Sequence, residues 1–216
     1  MATDTPPALP PPPPRRLLLW GGLATAALGL LLATGLVASR PREPLPRLGA
    51  LPDFTFTREN GQPFGRARLL GRPWVANFIF TRCPTICPLF TQKMARLQQH
   101  TAGHGERLQL VSFSVDPDYD TPERLTAYAA KYGAQPARWS FLTGDYTRLK
   151  STIVDGFKIA MGRHDEDPQN LLSIFHGTHF VLVDATGEIR GYYDSDDDEA
   201  LKRLLRDTER LVEKGE

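Results

Sequence analysis

Cysteine is scarce in this sequence: the 216 residues hold two, Cys83 and Cys87. That scarcity excludes a small disulfide-stapled scaffold, which needs several bridges and a much shorter chain. An excess of either sign of charge is also missing. Lys and Arg number 26 against 25 Asp and Glu, a formal net charge of +1, so no basic surface for nucleic acid is implied and no acidic partner is called for. No internal repeat is visible. Hydrophobic residues at 41% and charged residues at 24% are ordinary for a soluble globular domain.

What is present is ordered along the chain. Residues 1–16 are polar and proline-rich, with Pro10 to Pro14 in a row. Such a composition buries no apolar surface and is expected to be a disordered tail on the cytoplasmic side. Leu17 to Ala38 follows Arg15 and Arg16 as 22 residues without a charge. At about 1.5 Å per residue it spans a hydrocarbon core of about 30 Å. A signal-peptide apolar stretch is shorter, roughly 7–15 residues. Leu36 occupies a position where cleavage after Ala38 would want a small residue, and no cysteine follows for lipid attachment. The expectation is an uncleaved transmembrane signal anchor over 17–38, amino terminus inside, placing the remainder outside the cytoplasm. Arg15 and Arg16 read as a plain charged flank rather than a twin-arginine signal. Pro41, Pro44 and Pro46 make residues 39–47 an extended linker. Residues 48–216 are left as one domain, long enough for its own core.

Within that domain, Phe54 and Phe56 alternate with polar residues before the turn Glu59-Asn60-Gly61, a short hairpin. The run VANFIF, Val75 to Phe80, predicts a fully buried central strand. Pro88 to His100 has helical spacing through Phe90, Met94 and Leu97. Leu108 to Val115 predicts a second buried strand, and Thr121 with Pro122 and Glu123 opens a helix. A short strand is expected over Trp139–Leu142 and a helix over Tyr146–Phe157. Phe180–Val183 and Ile189–Tyr193 flank the Asp184-Ala185-Thr186-Gly187 turn as a hairpin, and Asp197–Lys214 closes the chain as an amphipathic helix. The alternation predicts an α/β layered sheet with helices on both faces. It places both cysteines where the first buried strand hands over to a helix, the usual edge for a site in such sheets.

A spacing of four puts Cys83 and Cys87 on one helical face if the first turn is helical. A helix N-terminus favours thiolate over thiol, and Arg82 would add to this. Two such thiolates can ligate a soft cation or cycle between dithiol and disulfide. Structural zinc wants four ligands, whereas cuprous copper accepts three and is selected by soft sulfur. A third donor would come from the five histidines. His100 and His104 read as solvated helix-end residues and His164 as a surface residue in a polar loop. His176 and His179 both stand just before a buried strand, and spacing alone does not choose between a ligand and a satisfied edge histidine. Asp194 to Glu199 resembles a calcium run but lacks the spacing of an EF-hand loop, and caps the last helix more simply. Asp118 and Asp120 read as turn and N-cap residues.

Three segments resemble one family. FTRCPTICP (Phe80 to Pro88) looks like the F-T-x-C-P-x-x-C-P signature of the Sco/SenC family. SFSVDPDYDTP (Ser112 to Pro122) resembles its S-V-D-P-x-x-D-T-P segment, and the stretch from His176 to Gly187 is similar to its H-S/T-x-x-x-x-L-x-D-x-x-G. The likeness runs from about residue 51 to 212. It implies a thioredoxin-like fold tethered by one N-terminal helix, with copper held by Cys83, Cys87 and His176 and with Asp116 as a nearby acid supporting the ligands. His179 becomes a fallback donor. It further implies delivery to the dinuclear copper centre of cytochrome c oxidase, with that oxidase's copper-bearing subunit as acceptor and a periplasmic copper donor upstream. The setting would be the bacterial inner membrane with the soluble domain facing the periplasm. The sequence departs from the pattern at Phe175, where an acid is usual, and at Gly177, where Ser or Thr is usual.

Three functions compete. The first is a copper-delivery module, binding Cu(I), with Cu(II) also admitted, and not a turnover enzyme. The second is a thiol–disulfide reductase that keeps the cysteines of that copper centre reduced. The third, a peroxide-reducing enzyme, fits least, because two cysteines in one turn do not resemble a peroxidatic site. Phe175 to Val183 contains no proline where thioredoxin-like oxidoreductases dock a substrate disulfide, and offers His176 instead, which favours metal binding.

Overall fold

The structure, a computed structural model, describes residues 43–164, 167 and 170–214, together with residues 25, 28 and 29. The expected tail over 1–16 and, apart from those three residues, the expected anchor over 17–38 lie outside the described residues. Among the described residues no helix is long and apolar enough to cross a membrane. The chain divides into two units, residues 1–43 and 44–216, and the elements below belong to the second.

The strands are β1 (Gly49–Ala50), β2 (Thr55–Arg58), β3 (Pro63–Gly65), β4 (Trp74–Ile79), β5 (Gln109–Ser114), β6 (Trp139–Thr143), β7 (Met161–Arg163), β8 (Ile174–His176), β9 (His179–Val183) and β10 (Glu188–Asp194). The helices are α1 (Ile86–His100), α2 (Pro122–Lys131), α3 (Tyr146–Ser151) and α4 (Asp198–Lys214). Eight strands form one sheet in the order β1-β10-β9-β4-β5-β6-β2-β3. Its centre is the parallel trio β4, β5 and β6, and β9 joins β4 antiparallel. Parallel strands buried on both faces need apolar runs without alternation. β4 and β5 fit this: every residue of Trp74–Ile79 and of Gln109–Ser114 is buried.

The alternation of side chains along β4 divides the core in two. Val75 and Ile79 face a layer in which Phe90 and Met94 of α1, Leu125 and Tyr128 of α2 and Leu204 and Leu211 of α4 pack together. Trp74, Ala76 and Phe78 face the other layer, with Leu149 of α3 and with Ile153 and Phe157. The sheet curls at β2, so that Phe54 and Phe56 return edge-on over Phe113. The α/β arrangement with helices on both faces is therefore present. Apart from the helix expected over Tyr146–Phe157, the strand, helix and hairpin assignments hold to within about two residues, an ordinary uncertainty at element ends.

Three features depart from the sequence expectations. β7 and β8 form a separate two-stranded sheet, with Met161 opposite His176 and Arg163 opposite Ile174. The helix expected over Tyr146–Phe157 ends at Ser151 and runs into a single wide turn, Thr152–Gly156. Lys158 follows with φ 58°, and the Ile159 N–H reaches the Ile153 carbonyl at 3.1 Å. That is a left-handed stop of the kind usually made by glycine. Finally, α1 begins at Ile86, which places Cys87 in its first turn and leaves Cys83 outside it.

Candidate metal centre

β4 delivers its last residues to the carboxyl edge of the sheet, where the chain turns and the Cys83 N–H bonds the Phe80 carbonyl at 3.3 Å. Because Cys83 precedes α1, the condition that both cysteines stand in the helical turn is not met, and they do not share a helix face. They meet instead through the helix terminus: the Cys87 N–H points at Cys83 Sγ at 3.5 Å, with Thr85 Oγ1 at 3.9 Å. This is the orphan amide of a first helical turn satisfied by sulfur. Both thiols are free and buried, Cys87 completely.

His176, at the end of β8, brings Nε2 to 3.4 Å from Cys87 Sγ. Its Nδ1 lies 3.1 Å from the Gly177 carbonyl. A carbonyl only accepts, so Nδ1 carries the proton and Nε2 keeps its lone pair toward the sulfur. The Phe80 ring meets the imidazole edge-on at 6.0 Å.

The electrostatics follow from these contacts. The hydrogen bond from the Cys87 thiol pulls Cys83 down to about 5, against the effect of burial and with help from the Cys87 amide and from Thr85. Cys87 is pushed up by donating to Cys83 and by burial. Burial lowers His176 despite its bond to the Gly177 carbonyl and the attraction of Cys83. The neutral-pH site is one thiolate, one thiol and one neutral imidazole. A soft monovalent cation held here would have to displace the Cys87 proton, and two thiolates would then suit its charge.

Asp116, which the resemblance offers as a nearby acid, is fully buried just beyond β5. Among the described residues its carboxylate makes no hydrogen bond to a ligand candidate. It accepts from Arg82 Nε at 2.7 Å and from Arg163 Nη2. Arg82 is therefore turned to Asp116 and over the Tyr119 ring at 4.4 Å, not toward the thiolate as the sequence suggested. The arrangement joins the two limbs of the site. Arg82 belongs to the cysteine turn, and Arg163 belongs to β7, whose partner strand carries His176.

Asp120 corrects its assignment as a turn or N-cap residue. The cap of α2 is Thr121, whose hydroxyl accepts from the Arg124 N–H. Asp120 is fully buried beneath the cysteine turn and accepts from the Thr81 amide and hydroxyl and from Ser114 Oγ. Burial raises its carboxyl against those hydrogen bonds. Arg163 and Phe80 were not anticipated as part of the site. The spacing D-P-D-Y-D-T-P carried a signal for Asp120, but nothing local marks Arg163.

The two departures from the family pattern have a packing basis. A Cβ on Gly177 would lie 3.0 Å from Ile159 Cγ2, so the side chains usual there would crowd Ile159. Phe175 lies across Gly162, where a Cβ would come within 2.7 Å of its ring, and stacks on His164. Its exposed ring covers the outer face of the hairpin, while Ile174 and His176 face inward.

Other candidates remain apart. His179 opens β9 opposite Asp194, and among the described residues it makes no hydrogen bond to either cysteine. His100 bonds the Arg96 carbonyl at its helix end. Asp194 and Asp197 accept from the Asp196 and Glu199 amides and so shape the start of α4, as expected. Among the described residues no three His, Cys, Asp or Glu side chains converge closely enough to hold a metal ion as they stand. Cys87 joins Cys83 on one side and His176 on the other, while Cys83 is directed at the helix terminus.

The family description SCO1/SenC matches residues 45–213. A protein of Stutzerimonas stutzeri named for copper binding is 35% identical over 150 residues, covering 68% of this chain and 71% of that one. A SCO1/SenC family lipoprotein from Bacillus anthracis superposes with a TM-score of 0.70 at 37% identity, over 80% of this chain and 99% of the other. BsSco, of the Sco family of cytochrome c oxidase assembly proteins and solved with a disulfide switch identified in it, gives 0.68 at 29% identity, over 79% and 99%. The parallel trio with its antiparallel hairpin is thus the thioredoxin-like arrangement of those proteins.

Proposed function

The chain belongs to the SCO1/SenC family, and from that membership we propose that it is a membrane-tethered copper carrier that takes part in cytochrome c oxidase assembly. Copper is its cargo. Cys83 and Cys87 supply two sulfurs and His176 Nε2 supplies a nitrogen, a donor set suited to Cu(I) and tolerant of Cu(II). The observation that carries the reading is the approach of His176 Nε2 to Cys87 Sγ at 3.4 Å, across elements 89 residues apart in sequence. The Asp116 link holds those elements in register. Residues 17–38 anchor the chain in the bacterial inner membrane with residues 48–216 in the periplasm. There a copper donor loads the site, and the copper-bearing subunit of the oxidase unloads it by ligand exchange.

A second reading draws on the asymmetry of the pair. Cys83, held down to about 5, suits an attacking thiolate, and buried Cys87 suits a resolving thiol. Cys83 would displace one partner sulfur as thiolate, forming a mixed disulfide. Cys87, deprotonated, would then release the other and leave Cys83–Cys87 oxidised, to be reduced by an upstream dithiol.

The two readings separate when the reduced chain meets the oxidase's copper-bearing domain in two forms. A carrier transfers copper to the reduced acceptor and leaves an oxidised acceptor oxidised. A reductase, free of copper, converts the oxidised acceptor to the dithiol, and that outcome would displace the carrier reading.

A further inference from the structure

The core layer that α1 and α4 share over β9 is not filled. Leu97 of α1, Leu201, Leu204 and Leu205 of α4 and Phe180 of β9 border a cavity of about 140 Å³ that opens to solvent between the two helices. Leu97, Leu204 and Phe180 are buried at its floor, and Leu201 and Leu205 stand half-buried at its lips. The pair Phe90–Phe180, ring centroids 4.6 Å apart, fills the layer two turns before Leu97. Protein interiors hold few voids larger than a water molecule. An apolar cavity of about 150 Å³ accepts one benzene ring.

The polar groups at the mouth are unequal. Lys93 is engaged: its ammonium reaches the Ser195 carbonyl and lies 3.5 Å from Asp196. His100 turns Nδ1 back to the Arg96 carbonyl at 2.8 Å. Arg96 is exposed, and its guanidinium makes no hydrogen bond or ion pair among the described residues. The acid that borders the cavity, Asp198, opens α4, the end at which Lys93 already meets Asp196. An apolar recess of one ring's size with an unpaired guanidinium at its lip has the composition of a small-ligand site, mostly apolar with a few polar groups that fix orientation. A planar guanidinium matches a carboxylate through two parallel hydrogen bonds.

We propose that the cavity between α1 and α4 is a binding site for a small aryl carboxylate, the ring held among the leucines and Phe180 and the carboxylate on Arg96. The site is separate from the copper ligands: Cys87 stands in the first turn of α1 and Arg96 in its later turns, roughly 14 Å further along at about 1.5 Å per residue. The inference therefore does not depend on the copper reading. An arylalkylamine of the same size would find Asp198 instead of Arg96, so the two ligands serve as opposed probes.

The test uses the full chain, reduced and metal-free, in phosphatidylcholine nanodiscs, titrated with 4-fluorophenylacetate or 4-fluorobenzylamine and followed by fluorine NMR, with empty nanodiscs as the blank. The carboxylate should bind saturably, with a Kd of roughly 1 mM or below for a ligand of this size, and the amine at least about tenfold more weakly, one charge-assisted pair being enough for that ratio. Arg96→Gln, an exposed change that leaves the unfolding temperature of the parent, should weaken the carboxylate by about tenfold or more and abolish the preference over the amine. Leu201→Trp, which places a ring in the cavity, should abolish binding of both. No saturable signal above the blank, equal affinity for the two ligands, or carboxylate binding unchanged in Arg96→Gln overturns the site.

Discussion

Replacing Asp116 by Asn tests whether the link between the two limbs of the site is structural. The carboxylate is wholly buried, and its arginine partners retain only 16% and 19% of their side-chain exposure. Asn keeps the shape and one acceptor but removes the charge that two cations share. Breaking a buried ion pair costs about 3–5 kcal/mol. Because the guanidinium heads keep some water and one acceptor survives, the lower end, about 3 kcal/mol, is expected. At about 2–4 °C per kcal/mol for a domain of this size, thermal unfolding of the reduced, metal-free chain in detergent should fall by roughly 6–12 °C. Arg163→Met should also destabilise. The double variant should cost less than the sum, with a coupling of about 1–3 kcal/mol. Copper affinity should fall with Asp116→Asn, since the strand carrying His176 loses its tie to the cysteine turn. An unfolding temperature within about 2 °C of the parent, or strict additivity with Arg163→Met, would refute the linking role.

Three further outcomes follow from single positions. Lys158→Gly should raise stability by about 0.5–1 kcal/mol, because φ 58° costs a side-chain-bearing residue more than glycine loses in chain entropy and in the Lys158 Nζ bond to the Asp155 carbonyl; a loss in chemical denaturation would show that this bond outweighs the strain. Burial opposes ionisation of Asp184, but hydrogen bonds from Thr186 and Arg190 outweigh it and hold the carboxyl below its ordinary value. Its stabilisation is therefore present above the unfolded value of about 3.9 and is lost as pH falls through the lower folded value. Asp184→Asn should cost about 3 kcal/mol at neutral pH, with the gap to the parent narrowing in acid, and a gap constant in urea titrations across that range would contradict the assignment. Gly65→Ala sets a Cβ 2.4 Å from the Phe54 carbonyl oxygen, whereas Gly162→Ala meets only the exposed Phe175 ring at 2.7 Å. The first should cost about 2–3 kcal/mol and the second about 1, and the reverse order in calorimetry would mean that the β2–β3 edge yields more readily than the His176 hairpin.

Legibility in the sequence followed the range of the interactions. The run VANFIF announces β4 because a strand buried on both faces has no alternation to hide. The Asp184–Gly187 turn marks the β9–β10 hairpin for equally local reasons. The cysteine turn was visible as a motif, and the choice of His176 over His179 came from resemblance; the structure sets His176 Nε2 3.4 Å from Cys87 Sγ. Other parts were not legible. β7 and β8 hold three residues each, too few to show a period, and pair across a polar loop. Arg163 meets Asp116 only because those strands fold back over the sheet. Asp120 looks like one more turn acid until its own burial, with bonds from Thr81 and Ser114, is known. A left-handed stop is usually written with glycine or asparagine, so Lys158 concealed the end of the wide turn that leads to the His176 arm. Apart from residues 25, 28 and 29, the expected anchor lies outside the described residues.

The central claim is that copper is carried by Cys83, Cys87 and His176 acting together. Its most direct test is a Cu(I) competition titration of the reduced, anaerobic full-length chain against a coloured chelator, beside Cys83→Ser, Cys87→Ser and His176→Ala. The account predicts one tightly held copper per chain, lost in either cysteine variant and weakened in the histidine variant while its fold persists. Copper binding that survives His176→Ala unchanged, or a parent chain that cannot compete with the chelator at all, would contradict it.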